Sequence, residues 1–287
     1  MLAFPFDQLH VVGRSEEAIE QFAAALPLAR EIESASIETA LLANSAEAYS
    51  TLGDPDQAIS HFKRALGVVA RMNSPRRTGR TLYQLAGAYL SSGETRRADE
   101  TIRQALSELE RAADRSYTGE AQALFARILM ATGDFEGALE AADRGALALR
   151  EANHRRGVAG ALATRAEIEI DRGETDAALN RLDEALELAR AVASPSVIAD
   201  VQYLRARALE RARRFDEAEV AIAAAVAIVE STRGGLIRSE LRSSYLATVR
   251  RFFDLQIELL ARRGDIAAAF EVSERAHARS LLEGLAE

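Results

Sequence analysis

Cysteine is absent from the 287 residues, which removes disulfides, thiolate nucleophiles and cysteine-held metals together. Histidine is scarce: His10, His61, His154 and His277 never stand in a zinc-ligand spacing, and no HExxH pattern occurs. No metal and no cofactor is therefore expected. Only five prolines are present, and they read as marking places where a helix begins. No run of eighteen apolar residues exists, and the opening MLAFPFDQLHVVG lacks a basic stretch ahead of a long apolar one. Neither a membrane span nor a signal peptide is read, and the cytoplasm is the expected location. Basic charge is not in excess, since 36 Lys and Arg against 44 Asp and Glu leave a formal charge of -8, without the footprint of a nucleic-acid binder. A glycine-rich phosphate loop is missing too; Gly234 and Gly235 after Arg233 read as a helix break. The many carboxylates fall on solvated helix faces or at helix starts, where the macrodipole favours them, so they give no support to a hydrolase. No enzymatic activity is expected within this chain.

What is present is a repeat. Gly53, Gly93, Gly133 and Gly173 recur every forty residues, and the next place in the series holds Arg213. Seven positions before these five places stand Ala46, Ala86, Ala126, Ala166 and Ala206; five after them stand Ala58, Ala98, Ala138, Ala178 and Ala218. A third column reads Ala65, Ala105, Gly145, Ala185 and Ala225. Small residues on both sides of a turn are what a helical hairpin needs where two backbones cross closely. Helix, turn, helix and short linker, copied along the chain, therefore make an all-α solenoid.

The expected helices run near 37–52 and 55–72, 77–92 and 95–113, 117–132 and 135–152, 156–172 and 175–192, and 197–213 and 216–230. Ahead of them Gly13, Ala18, Phe22 and Ala25 keep the register, giving the second helix of a partial hairpin over about 15–31. Asp54 and Ser74 read as N-caps, each followed by proline at the first helical position. Arg213 in place of glycine predicts a somewhat different turn in the fifth hairpin. The helix after it, EVAIAAAVAIVE, is apolar on more than one face and asks for cover on two sides. From position 213 to the next matching turn, Gly264, the step lengthens to fifty-one; eleven extra residues are close to three helical turns, so the buried face stays in line. Residues 237–262 are accordingly one long helix with Leu241, Tyr245, Val249, Phe252, Phe253, Leu255, Leu259 and Leu260 on its apolar stripe, followed by a last helix over 266–285 with Ala269, Val272, Ala276 and Leu281. The chain divides into residues 1–232, a partial hairpin plus five hairpins, and residues 233–287, an elongated C-terminal hairpin.

The pattern resembles the tetratricopeptide repeat. Its first-helix aromatic appears as Tyr49 and Tyr89, with Leu129, Leu209 and the outlier Glu169 in the other copies, and its second-helix bulky residue as Phe62, Ile102, Leu182 and Ile222, with Ala142 a weak copy. The fold implied is a tetratricopeptide-like α–α superhelix, here with forty-residue repeats, six longer than a common repeat of that family; six residues add about 9 Å of helix. In that architecture the first helices line the concave side, and the inner positions lie thirteen, ten and six before each turn. They read Ala40, Ala43, Glu47; Arg80, Tyr83, Gly87; Glu120, Ala123, Arg127; Gly160, Ala163, Glu167; and Asp200, Tyr203, Arg207. Asn44 stands in the column where the family's clamp for a terminal carboxylate begins, but its copies Gln84, Leu124, Thr164 and Leu204 depart from it. The resemblance thus marks Asn44, Glu47, Arg80, Tyr83, Glu120, Arg127, Glu167, Asp200, Tyr203 and Arg207 as the partner-binding candidates. Tyr83 and Tyr203 would anchor a partner, and Arg80, Arg127 and Arg207 would orient its carboxylates. The alternative is that these charges only keep neighbouring first helices soluble and salt-linked.

A second resemblance rests on LRSSYLATVRRFF and AFEVSERAHARSLLEGLAE, which look like the segment joining such repeats to a caspase-like peptidase domain in bacterial CHAT-domain proteins. The His and Cys pair of that peptidase lies beyond the segment, so the implied role is a scaffold that binds a protein or peptide partner, or its own missing C-terminal domain. The other class kept open is a regulatory sensor region of a multidomain signalling or transcription ATPase. The oligomeric state is left open.

Overall fold

The computed structural model describes the backbone of residues 12–233 and 239–283, and the side chains among these apart from 12–14, 16, 232, 233, 239–248 and 277–283. The described residues form helices throughout, with no strand: α1 (Val12–Glu31), α2 (Ala35–Thr51), α3 (Pro55–Val69, extended by a 3-10 turn at Ala70–Met72), α4 (Pro75–Ser91), α5 (Thr95–Arg111), α6 (Arg115–Ala131), α7 (Phe135–Glu151), α8 (Arg155–Arg172), α9 (Thr175–Ala191), α10 (Pro195–Arg211), α11 (Phe215–Arg233), α12 (Ser239–Arg263) and α13 (Ile266–Glu283). Gly234 and Gly235 lie outside the described residues. Proline does not always mark a helix start, because Pro27 lies within α1. Its ring is exposed there, so the carbonyl it leaves without a partner is on the solvent side. Likewise α1 begins before Gly13, which is therefore a helical residue and not a turn.

A single left-handed residue ends each helix up to α10. Inside the hairpins it is Gly53, Gly93, Gly133 or Gly173, with φ from 77 to 84°. Between hairpins the same conformation falls to Glu33, Asn73, Ala113, Asn153 and Ala193, with φ from 46 to 54°. The turn thus recurs every twenty residues, and only alternate copies carry glycine. Its hydrogen bonds close the orphan carbonyls of the helix end: the Gly93 amide donates to Leu90 at 3.1 Å and the Glu94 amide to Tyr89 at 2.8 Å, while Ala113 donates to Glu110 at 3.0 Å and Asp114 to Leu109 at 3.1 Å. Arg213 corrects the expectation of a different fifth turn. At φ 59° it makes the same two bonds, Arg213 to Glu210 and Arg214 to Leu209, both 2.9 Å. The bonds and the flanking packing hold the shape, and the side chain costs about 1–2 kcal/mol of left-handed strain.

Helix starts divide into two kinds. Asp54, Asp114 and Asp134 accept from the amides of Gln57, Tyr117 and Gly137 at 3.1, 3.2 and 2.9 Å. Ser74 occupies an N-cap position but its side chain makes no capping bond, contrary to the sequence reading; Pro75 already sets the helical φ of the first turn.

The three small-residue columns are fully interior. All ten alanines from Ala46 to Ala206 and from Ala58 to Ala218 have no exposed surface. Gly145 shows why size matters: a Cβ there would lie 2.9 Å from the Gly119 carbonyl and 3.1 Å from the Ala123 amide, so α6 and α7 meet backbone to backbone. Ala142 and Glu169, the two departures from the bulky columns, are both buried, and Glu169 is held by Arg165 at 3.1 Å and Arg181 at 2.6 Å.

Helix α12 is unbroken over 25 residues and is the longest of the described helices. Val249, Phe252, Phe253, Leu255 and Leu259 are buried on it; the side chains of Leu241, Tyr245 and Leu281 lie outside the described residues. The two-sided cover that α11 requires comes from α10 and α12. A third neighbour was not foreseen: α1 also lies against α11, and Ile19 and Leu52 belong to the same apolar cluster as Val226, Val229 and Phe253. The array curls until its first helix meets its eleventh.

Candidate functional site

Because each Ala–Ala crossing fixes the rotation of its helix, the positions thirteen, ten and six before each turn are forced to one side of the even-numbered helices. That side is the inner one. Successive even helices, α2 to α4 to α6 to α8 to α10, touch one another, whereas successive odd helices stay further apart, so the array bends toward the even row.

In the N-terminal half of this face the Gln84 amide donates to Glu47. The Arg80 guanidinium lies 5.0 Å from the centre of the Tyr117 ring, which is tilted against Tyr83 with 6.4 Å between centres. The Tyr83 hydroxyl is turned on the Glu120 carboxylate, and Glu120 Oε1 is 3.4 Å from His154 Nδ1. Burial raises the Glu120 pKa, and the charges of His154, Arg156 and Arg80 pull it back. Burial likewise pushes the Tyr83 hydroxyl up, helped by the negative charges of Glu120 and Glu47. Both groups are therefore held in their neutral forms more strongly than in water.

The C-terminal half is cross-linked by arginines. Arg207 reaches Glu167 at 3.2 Å and Asp171 at 3.0 Å, and Arg211 donates to the Ile170 carbonyl. Tyr203 stacks at a tilt against Phe252, 5.1 Å between centres. Arg251 closes this end by lying 4.9 Å from the Tyr203 ring and pairing with Asp200 at 2.6 Å. Burial raises the Asp200 pKa against the opposing pull of Arg251 and Arg127.

Of the ten candidates, then, Glu47, Arg80, Tyr83 and Glu120 fall in one set of linked side chains, and Glu167, Asp200, Tyr203 and Arg207 in another. Arg127 stands between the sets, exposed and without an ion pair or hydrogen bond to any of the described residues. Asn44 is partly buried on α2; in its column Leu124 and Leu204 are core residues and Thr164 donates to the Gly160 carbonyl at 3.2 Å, so no carboxylate clamp runs along it. Sequence reasoning missed Tyr117, His154, Asp171, Arg251 and Phe252. Arg251 was reachable, since it lies thirteen positions before Gly264 and so continues the column of Arg80, Glu120 and Asp200 across the lengthened step. Among the described residues no group of acidic and histidine side chains is placed to hold a metal ion, and no helix is long and apolar enough to cross a membrane.

A family model described as the MalT-like TPR region matches residues 9–280. A comparison with curated proteins finds no match. Among solved structures, the apo form of RapI superposes with a TM-score of 0.67 at 15% identity, over 97% of this chain and 95% of that one. Aspartyl phosphate phosphatase F from Bacillus subtilis gives 0.67 at 13%, over 92% and 68% of the two chains. A Rap protein complexed with Competence and Sporulation Factor gives 0.61 at 15%, over 86% and 72%. At these identities the likeness is one of fold.

Proposed function

The chain belongs to the family of MalT-like TPR regions, and from that premise we propose that it is a non-catalytic scaffold whose inner face holds a peptide or a partner protein. The observation that carries this reading is the division of the even helices. Their crossing faces are sealed by residues with no exposed surface, while their inner face keeps Tyr83, Arg127 and Tyr203 open in part or whole. Aromatic and arginine side chains presented on a rigid row are the groups that dominate protein recognition. The solved complex of a Rap protein with Competence and Sporulation Factor supports reading this fold as one that takes up a partner. The test is a pull-down from the source cell with the wild-type chain beside a Tyr83→Ala, Arg127→Ala double variant, followed by calorimetry with the purified captured protein. A loss of at least tenfold in affinity is expected; equal affinity would move the interaction to the convex face.

Two larger settings belong to this proposal. In the first, residues 1–232 are the working repeats and residues 233–287 lead into a CHAT-like peptidase domain, a reading supported by the C-terminal segments that resemble that family. In the second, the repeats are the sensor region of a multidomain signalling or transcription ATPase, in which long helical repeats also occur. The cytoplasm suits either. The neighbouring coding sequence separates them: a downstream His and Cys pair selects the peptidase, and a nucleotide-binding domain selects the ATPase.

A further inference from the structure

The column six positions before each turn reads Glu47, Gly87, Arg127, Glu167 and Arg207, one residue from each successive even helix. Neighbours in this column are close enough to pair, as Glu167 and Arg207 do at 3.2 Å. Among the described residues Arg127 is the member of this column left without a partner. On one side its neighbour Glu167 is drawn away by Arg207, which also holds Asp171 at 3.0 Å. On the other side its neighbour is Gly87, which has no side chain to offer. Nor is Gly87 required by the fold: it is helical, and a Cβ added to it would meet only Leu124 Cδ2, at an ordinary 3.7 Å. The column therefore contains one exposed guanidinium beside one vacant side-chain position.

The other inner-face arginines are engaged. Arg80 lies on the Tyr117 ring, Arg207 on two carboxylates and Arg251 on Asp200 and Tyr203. The charge of Arg127 reaches Asp200 and Tyr83, and those two groups also feel the carboxylates of Glu167 and Glu120, but Asp200 is already paired with Arg251 and Glu167 with Arg207. One open guanidinium matches one carboxylate: a strongly acidic partner would bring further charges that find no open cation here, while a partner with none would leave the guanidinium unmatched. We propose that the inner face receives a peptide segment carrying a single acidic side chain, whose carboxylate pairs with Arg127 in the space left by Gly87. This rests on the inner-face reading above and narrows it: the three candidate arginines do not act as a set, and Arg127 is the specificity-determining one. Planar, bidentate pairing with one carboxylate is what a guanidinium fixed at a single place provides.

The test uses a random twelve-residue peptide library displayed on phage, selected on the wild-type chain, with the enriched peptides measured against four variants. Arg127→Gln removes the cation. Gly87→Glu supplies the missing carboxylate from within, completing the column so that Arg127 is already paired. Gly87→Ala is the size control. Gly160→Leu fills another inner position, where a Cβ meets nothing within 4 Å, and blocks the face without touching its charge. Expected are enriched peptides sharing one Asp or Glu, with affinity lost at least tenfold in Arg127→Gln, Gly87→Glu and Gly160→Leu, kept in Gly87→Ala, and no fall in melting temperature for Gly87→Glu. Peptides without an acidic residue, or peptides that bind Arg127→Gln or Gly87→Glu as tightly as wild type while losing Gly160→Leu, overturn the carboxylate pairing and leave the inner-face reading standing. Peptides that bind Gly160→Leu unchanged, or a library that yields no binder, overturn both.

Discussion

Each even helix carries two faces only a quarter-turn or so apart, and they obey different rules. Where α6 crosses α7, Ala126 and Ala138 have no exposed surface and Gly145 is buried, and the same columns are Ala or Gly in every hairpin. On the inner face of those helices the columns run through Arg, Glu, Tyr, Gly and Ala with no constant type. Backbone proximity sets the first pattern, since a methyl group is the largest unit the crossing admits. The second is free of that limit, so its residues answer to their neighbours along the row and to whatever enters the groove.

The contrast is broken most severely by enlarging a crossing. Ala126→Leu is expected to lower stability by roughly 1–3 kcal/mol through overpacking, read as a shift of the urea midpoint, and an unchanged midpoint would show that the crossing has slack. Next in size, Asp54→Ala should cost about 1 kcal/mol by removing the cap on Gln57. Ser74→Ala, which removes no such bond, should cost less in the same assay.

On the inner face the sign reverses. Gly160→Ala fills open space in the middle of a helix, so it should raise stability by up to about 1 kcal/mol from helix propensity alone; a loss would mean the inner face is packed after all. The smallest effect is one of pH. Burial raises the Glu120 pKa above its unfolded value, so between the two values the folded chain binds more protons and its stability falls as pH rises. Stability relative to Glu120→Gln should therefore improve for the wild type as pH is lowered from 7 toward about 4.3, the unperturbed value for glutamate. Paired urea titrations across that range read the difference, and a parallel pH course for the two chains would remove Glu120 from the account.

The same contrast explains what could be read from the chain in advance. The crossings were legible because a forty-residue period and a small side chain are both visible in one dimension. The inner columns were legible as positions, being counted from the same turns, but not as a network: that Arg207 is held by Asp171 as well as Glu167, while Arg127 holds neither, depends on rotamers that no spacing reports. The linkers between hairpins were expected, but not as the same left-handed turn, for a different reason. Glu33, Asn73, Ala113, Asn153 and Ala193 adopt a conformation usually signalled by glycine, and without glycine the twenty-residue period looks like forty. Arg251 escaped because the forty-residue step breaks before it, although it keeps its count from Gly264, and Phe252 was read only as part of an apolar stripe and not as the ring against Tyr203.

The meeting of α1 with α11 has a mechanical meaning. An open row of hairpins frays from its ends, because a terminal unit has one neighbour to lean on and each unit lost exposes the next. A row clasped like a bracelet has lost one of its loose ends. Its N-terminal hairpins should exchange their amide hydrogens almost as slowly as the middle of the chain, and unpicking the clasp should loosen helices at both ends of the sequence in a single step.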